Sequence, residues 1–187
     1  MGSPFLYFPG QRLSRAELSA ACLDGHLVEI GEGYLPADAV ETRALRAGSL
    51  APLLSDAYAL THLSAAWVHG ALAEPPARHR AHRVMGPRPH YVLSRRLARH
   101  DQPVAHSDLI RTGGVWVTTA GRTLADLARE PTDAHLAAAR LMVAVDAVRV
   151  ADGIAWLTHS GPVHNKRPAL ALLRAWAGGH GEPLTRR

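Results

Sequence analysis

Histidine and arginine are the residues of this chain most able to do chemistry, and their placement decides which chemistry is open. The chain holds 12 His but a single Cys, Cys22. His79 and His82 stand three apart and His62 and His69 lie two helical turns apart, yet no HExxH or CxxC accompanies them. No closed ligand set forms, so neither a metal nor a cofactor is expected. Ser64 and His69 lack the glycine frame of a nucleophile elbow, and Gly31-Glu32-Gly33 puts an acid where a bound phosphate would sit. No catalytic residue is therefore expected. A metal-dependent hydrolase using His79 and His82 ranks below the binding functions.

Arginine points elsewhere. Of the 21 basic residues all but Lys166 are Arg, and the net charge is +5 with a pI near 10.1. Arg abundance alone fits the codon bias of a GC-rich genome, so position carries more weight than number. Residues 78–122 hold Arg78, Arg80, Arg83, Arg88, Arg95, Arg96, Arg99, Arg111 and Arg122 against Asp101 and Asp108, a balance of +7. Residues 1–40 hold Arg12 and Arg15 against Glu17, Asp24, Glu29, Glu32 and Asp38, a balance of −3. A basic middle favours a polyanion, whereas an acidic start opposes simple phosphate neutralisation.

These side chains need elements to position them. Ser14 and Glu17 have capping-box spacing, and Leu18, Ala21 and Cys22 follow at helical spacing until Asp24-Gly25 supplies a left-handed stop. Leu27, Val28 and Ile30 then predict a strand that turns at Gly31-Glu32-Gly33 and returns through Tyr34-Leu35. One helix leading into a tight hairpin is the order of a recognition helix and its wing. Asp38 to Ala51 reads as a short amphipathic helix or linker, and Tyr58-Ala59-Leu60 as a strand. A helix follows from Thr61 or Ser64, with Leu63, Trp67 and Ala71 on one face. From His79 to Thr119 the runs HRAHRVM, HYVLSRRL, PVAHSDLI and VWVTT, separated by turn formers, predict three or four mostly antiparallel strands. The remainder is helical: Ala120 to Glu130 capped by Thr119, a longer helix capped by Asp133 with Leu136, Ala139, Val143, Ala147 and Val150 on one stripe, and a last helix around Pro168 to Ala177.

Arg122 is placed unusually. It stands near a helix N-terminus, where the dipole disfavours a cation, and four residues before Asp126. Carboxylates or strand carbonyls must hold it there, which predicts a structural tie between sheet and helix.

With these residues in view, the chain resembles the AbiEi-type antitoxin-like proteins of actinobacteria, in the type IV toxin–antitoxin regulator group. The resemblance covers most of the sequence. It rests on LSRAELSAACLDGHLVEIGEGYLP from Leu13, LTHLSAAWVHGAL from Leu60 and GGVWVTTAGRTLADLAR from Gly113. It implies an N-terminal winged helix-turn-helix that binds operator DNA, then an α/β domain associated with autoregulation and toxin neutralisation. Many relatives carry a further Vsr-like endonuclease domain. Here GSPFLYFPGQR stands in place of the usual earlier helices, and HGEPLTRR precedes no catalytic carboxylates. A truncated winged-helix module and no nuclease activity are expected.

The expectation is thus an α+β protein: residues 1–50 a truncated winged-helix-like module, residues 51–187 an α/β domain with a small, mostly antiparallel sheet and C-terminal helices. The expected function is that of a DNA-binding transcriptional regulator or antitoxin, not an enzyme. Arg12 and Arg15 are the candidates for groove or phosphate contacts on double-stranded DNA; Arg78, Arg80, Arg83, Arg95, Arg96 and Arg99 are those for backbone contacts. The rival is a protein-interaction module that neutralises an acidic toxin, and the opposed charges of the two segments also permit a homodimer. The Phe5–Phe8 run is too short for a signal peptide and no apolar span is long enough to cross a bilayer, so a cytoplasmic location without a membrane partner is expected.

Overall fold

The computed structural model describes residues 3–86, 94–145 and 148–179. Helix α1 (Arg15–Leu23) starts as its sequence dictates. The Ser14 hydroxyl accepts from the Glu17 N–H at 3.3 Å, and the Glu17 carboxylate accepts from the Ser14 N–H at 2.7 Å. The left-handed stop falls at Gly25, φ +76°. Strands β1 (Leu27–Ile30) and β2 (Gly33–Pro36) form the antiparallel hairpin, with Ile30 opposite Gly33. Tyr7 exchanges both backbone hydrogen bonds with Tyr34 at 2.9 Å, so the segment before α1 adds an outer bridge to β2. Leu18, Leu27 and Tyr34 bury together and hold the helix on the hairpin. Among the described residues no helix precedes α1. The unit shown is a helix and a hairpin, short of a full winged helix-turn-helix.

Helix α2 (Arg43–Ser49), capped by Thr42, begins later than the expected Asp38. The larger unit follows: β3 (Tyr58–Leu60), α3 (His62–Val68), β4 (His79–Val84), β5 (Leu97–Val104), β6 (Leu109–Thr112), β7 (Val115–Thr118), α4 (Ala120–Arg129), α5 (Asp133–Val145), α6 (Val148–His159) and α7 (Lys166–Gly179). Its five-stranded sheet has the order β5-β4-β3-β7-β6. The mostly antiparallel sheet expected from the sequence is in fact mixed: β3–β4 and β6–β7 are antiparallel, β3–β7 and β4–β5 parallel. Strands β3 and β7 are each followed at once by a helix, and α3 and α4 pack side by side. Between the parallel neighbours β3 and β7 the chain runs through α3, β4, β5 and β6, the long crossover that parallel pairing requires.

The strand expected at HYVLSRRL is also displaced. Residues 90–93 lie outside the described residues, and the strand itself is LARHDQPV, a polar edge in which residues 100–103 are exposed. An edge strand needs no continuous apolar face, so hydropathy does not mark it. The single long helix expected after Asp133 is two helices, α5 and α6, with residues 146 and 147 outside the described set. Thr132, not Asp133, caps α5, accepting from the His135 N–H at 3.2 Å.

One apolar core, with Leu124, Leu127, Met142, Leu157 and Leu173, lies among α3 to α7. Helices α4 and α6 cross closely at Gly121, where a Cβ would stand 2.6 Å from that of Asp152. A second core runs across position 50, joining Leu6, Ile30, Leu35, Leu45 and Leu50 to Leu60, Trp67, Val115 and Val117. There the β6–β7 turn meets α2 backbone to backbone. Gly113, φ +57°, leaves no room for a Cβ against the Ala44 carbonyl. No helix among the described residues is long and apolar enough to cross a membrane.

Candidate functional site

The eight arginines proposed to meet DNA fall into two groups. Arg12 and Arg15 are exposed at the N-terminal end of α1, and Arg78 and Arg95 are exposed just before β4 and β5. None of these four meets a carboxylate among the described residues. The other four are tied within the chain. Arg80 grips the Glu130 carboxylate with two nitrogens, at 2.6 and 3.0 Å, and its Nε donates to His82 Nε2 at 3.3 Å. Arg83 donates to Asp101 at 3.0 Å and to the Gly86 carbonyl at 2.6 Å. Arg96 pairs with Glu32 at 2.8 Å. Arg99 donates to the Leu53 carbonyl at 3.2 Å and lies over the Tyr58 ring.

Much of the +7 charge of the middle segment is thus answered by carboxylates brought from elsewhere. Glu130 lies fifty residues from Arg80, Glu32 comes from the hairpin, and Asp56 pairs with Arg111 at 2.9 Å. The Glu32–Arg96 pair has a further meaning. Glu32, an acid at the turn of the hairpin, is directed back to the start of β5. The opposed charges that would drive head-to-tail self-association meet, at this point, inside one chain.

Helix α4 carries the densest polar constellation. Its residues 121–128 are all buried, Arg122 and Asp126 among them. Arg122 Nε donates to Asp126 at 2.8 Å and its Nη1 to Asp108 at 2.6 Å, while the guanidinium carbon sits 4.2 Å from the centre of the Trp156 ring. Trp156 Nε1 donates to the second Asp108 oxygen at 2.9 Å, and Arg129 to the second Asp126 oxygen at 3.0 Å. Burial pushes the Asp126 carboxyl up from its ordinary range, against the pull of Arg122 and Arg129. Thr119 caps the helix as expected, accepting from the Arg122 N–H at 3.3 Å. Asp126 was legible at i,i+4. Asp108 was not, because it arrives from the 3-10 turn His106–Asp108, and neither was Trp156, from α6.

Beyond the end of α4 lies a histidine cluster that the sequence did not single out as a unit. His62, at the left-handed φ of +52°, places its ring 5.4 Å from His82 and 5.5 Å from His135, with Nε2 3.4 Å from Glu130. His82 in turn lies 5.1 Å from His100 across the β4–β5 pairing. Burial, then the nearby Arg80 cation, drives His62 far below its usual value and His82 to about 3. Burial and Arg96 bring His79 down to about 4, and burial lowers exposed-rim His100 as well. Burial would raise Glu130, but the Arg80 hydrogen bonds and His62 hold it well below the carboxylate range. The buried rings are therefore uncharged at neutral pH and add hydrogen-bonding capacity, not positive field. His79 and His82, the pair considered for a metal, are occupied differently: His79 Nδ1 faces the Ser64 hydroxyl at 3.2 Å, and His82 accepts from Arg80. Among the described residues no group of three or more His, Cys, Asp or Glu is arranged to hold a metal ion.

No family model matches the chain, and no curated protein matches it.

Proposed function

We propose that this protein is a DNA-binding regulator of the antitoxin type, with α1 and the β1–β2 hairpin as its contact with duplex DNA. The observation that carries the reading is the state of α1. Of its nine residues only Leu18 is buried, and Arg15, Ala16, Glu17, Ser19 and Ala20 are exposed. A capped helix held on a hairpin by one large side chain, with the small residues Ala16, Ser19 and Ala20 exposed behind Arg15 and Leu23 exposed at its far end, can approach a groove with its N-terminal turns. Arg12 and Arg15 stand at its N-terminal end, where recognition helices meet base edges and phosphates. Arg78 and Arg95, also without carboxylate partners among the described residues, supply the secondary backbone contacts. Arg80, Arg83, Arg96 and Arg99 serve the fold first, since each is held by an internal acceptor.

Binding of a mixed-sequence duplex, followed by fluorescence anisotropy over a salt series, tests this. Affinity should fall steeply with salt, and Arg12→Ala/Arg15→Ala should flatten the log–log slope by about two. Arg83→Ala should leave that slope nearly unchanged. A flat salt dependence in the parent protein, or no binding at low salt, would overturn the proposal.

A further inference from the structure

The five-stranded sheet ends, on the side away from β5, at β6. The hairpin that joins β6 to β7 fixes which way its backbone groups point. Gly113 and Gly114, at φ +57° and +86°, form the two-residue turn that closes the Thr112–Val115 pair. At the other end the Thr119 N–H donates to the Asp108 carbonyl at 2.8 Å. Residues 108, 110 and 112 therefore bond to β7, and Leu109 and Arg111 turn their backbone groups outward. The Leu109 N–H is taken by the His106 carbonyl. The Arg111 N–H and the Leu109 carbonyl meet no partner among the described residues. Arg111, the one charged side chain of the strand, is folded back across the sheet. Its guanidinium lies 5.3 Å from the centre of the Trp116 ring and pairs with Asp56, before β3, at 2.9 Å. What remains at the middle of the strand is Ile110, 39% exposed, between a free donor on Arg111 and a free acceptor on Leu109.

We propose that β6 docks against β6 of a second copy of this chain, antiparallel about a two-fold axis through Ile110. In that register each Arg111 N–H donates to the Leu109 carbonyl of the other copy. Ile110 faces its own counterpart as a non-hydrogen-bonded pair, the closest spacing in an antiparallel ladder. A second copy is the fitting occupant because a donor and an acceptor two residues apart complement themselves under a two-fold. Charge selects the register. An axis through Arg111 would set two cationic residues directly opposite each other, whereas the axis through Ile110 sets each Arg111 against Leu109, with Asp56 as its counter-ion. Two hydrogen bonds and one apolar pair fall well short of the roughly 1,200 Å² of a standard interface, so the dimer is weak, with a Kd of about 0.1–1 mM. Nothing here depends on duplex contact, since none of these residues is assigned to DNA.

Sedimentation of the full chain without DNA, from about 10 μM to 1 mM, should show a reversible monomer–dimer equilibrium in that range. Ile110→Lys sets like charges face to face at an exposed position, and should weaken the dimer by about tenfold or more while thermal melting stays at the parent value. Crosslinking tests the register. With Cys22→Ala to remove the native thiol, Ile110→Cys should give a disulfide-linked dimer in a glutathione redox buffer, because paired Cα atoms about 4.5 Å apart suit the bond. Thr112→Cys, which this register places opposite Asp108 of the other copy, should crosslink about tenfold more slowly or less. A monomer throughout the concentration range, a dimer indifferent to Ile110→Lys, or equal crosslinking by the two cysteine variants would overturn the proposal.

Discussion

Helices α1 and α4 are nearly the same length, both start from a hydroxyl cap, and both carry an arginine within their first three residues. Their fates are opposite. Arg15 projects into solvent from a helix with one buried residue; Arg122 is locked between Asp108, Asp126 and Trp156 in a helix whose residues 121–128 are all buried. A helix N-terminus repels a cation in either place. What differs is whether other elements deliver carboxylates to it. Arg122 receives them from the turn before β6 and from its own next turn, while Arg15 receives none among the described residues. A cation left at a repelling position without an internal acceptor is available to an external anion, and this contrast separates an arginine that holds the fold from one free to bind.

Acid should break the buried side of the comparison first. His62, His79 and His82 are neutral in the folded chain, with values depressed by burial, but protonate near 6.5 once unfolded. The unfolded state binds more protons below that value, so the stability these rings contribute is present above about pH 6.5 and is lost as pH falls, through about 4 for His79 and about 3 for His82. The linkage slope approaches one proton per ring, up to about 4 kcal/mol per pH unit for the three together between pH 6 and 5. Urea unfolding at successive pH values would measure it, and a midpoint constant from pH 7 to 5 would contradict the buried neutral state of the cluster.

Arg122→Ala should come next, costing about 2–4 kcal/mol because Asp126 and Asp108 stay behind with fewer partners. DNA affinity of the folded fraction should change little. Arg15→Ala sharpens the contrast from the other side: stability within about 0.5 kcal/mol of the parent, with a clear loss of duplex affinity. Normal stability with lost DNA binding in Arg122→Ala would invert the two roles. The smallest effect on this scale is expected at the α1 cap, where Ser14→Ala removes the acceptor for the Glu17 N–H and should cost about 1 kcal/mol by thermal melts.

What could be read in advance follows the range of each interaction. The Ser14–Glu17 box, the Gly25 stop, the Gly31–Glu32 turn and the Thr119 cap all span four residues or fewer, and each stands where the sequence placed it. Asp126 beside Arg122 was visible for the same reason. Glu130 with Arg80, Glu32 with Arg96 and Asp108 with Arg122 depend on which strands become neighbours, and periodicity says nothing about that. The sheet order itself lay beyond reach once β5 proved to be a polar edge. Hydropathy also could not separate α5 from α6, since both present apolar stripes to one core.

That polar edge has a consequence for how copies of this chain meet. An unpaired strand at the rim of a sheet invites a strand from another molecule, the usual route to edge-joined dimers and fibrils. Along β5 the outward run His100, Asp101, Gln102 and Pro103 is exposed, with Arg83 drawn onto Asp101 from the neighbouring strand. A foreign strand would have to desolvate an ion pair and would find no N–H at Pro103. This rim is guarded against templated growth, so self-association at high concentration should not proceed by strand addition along β5.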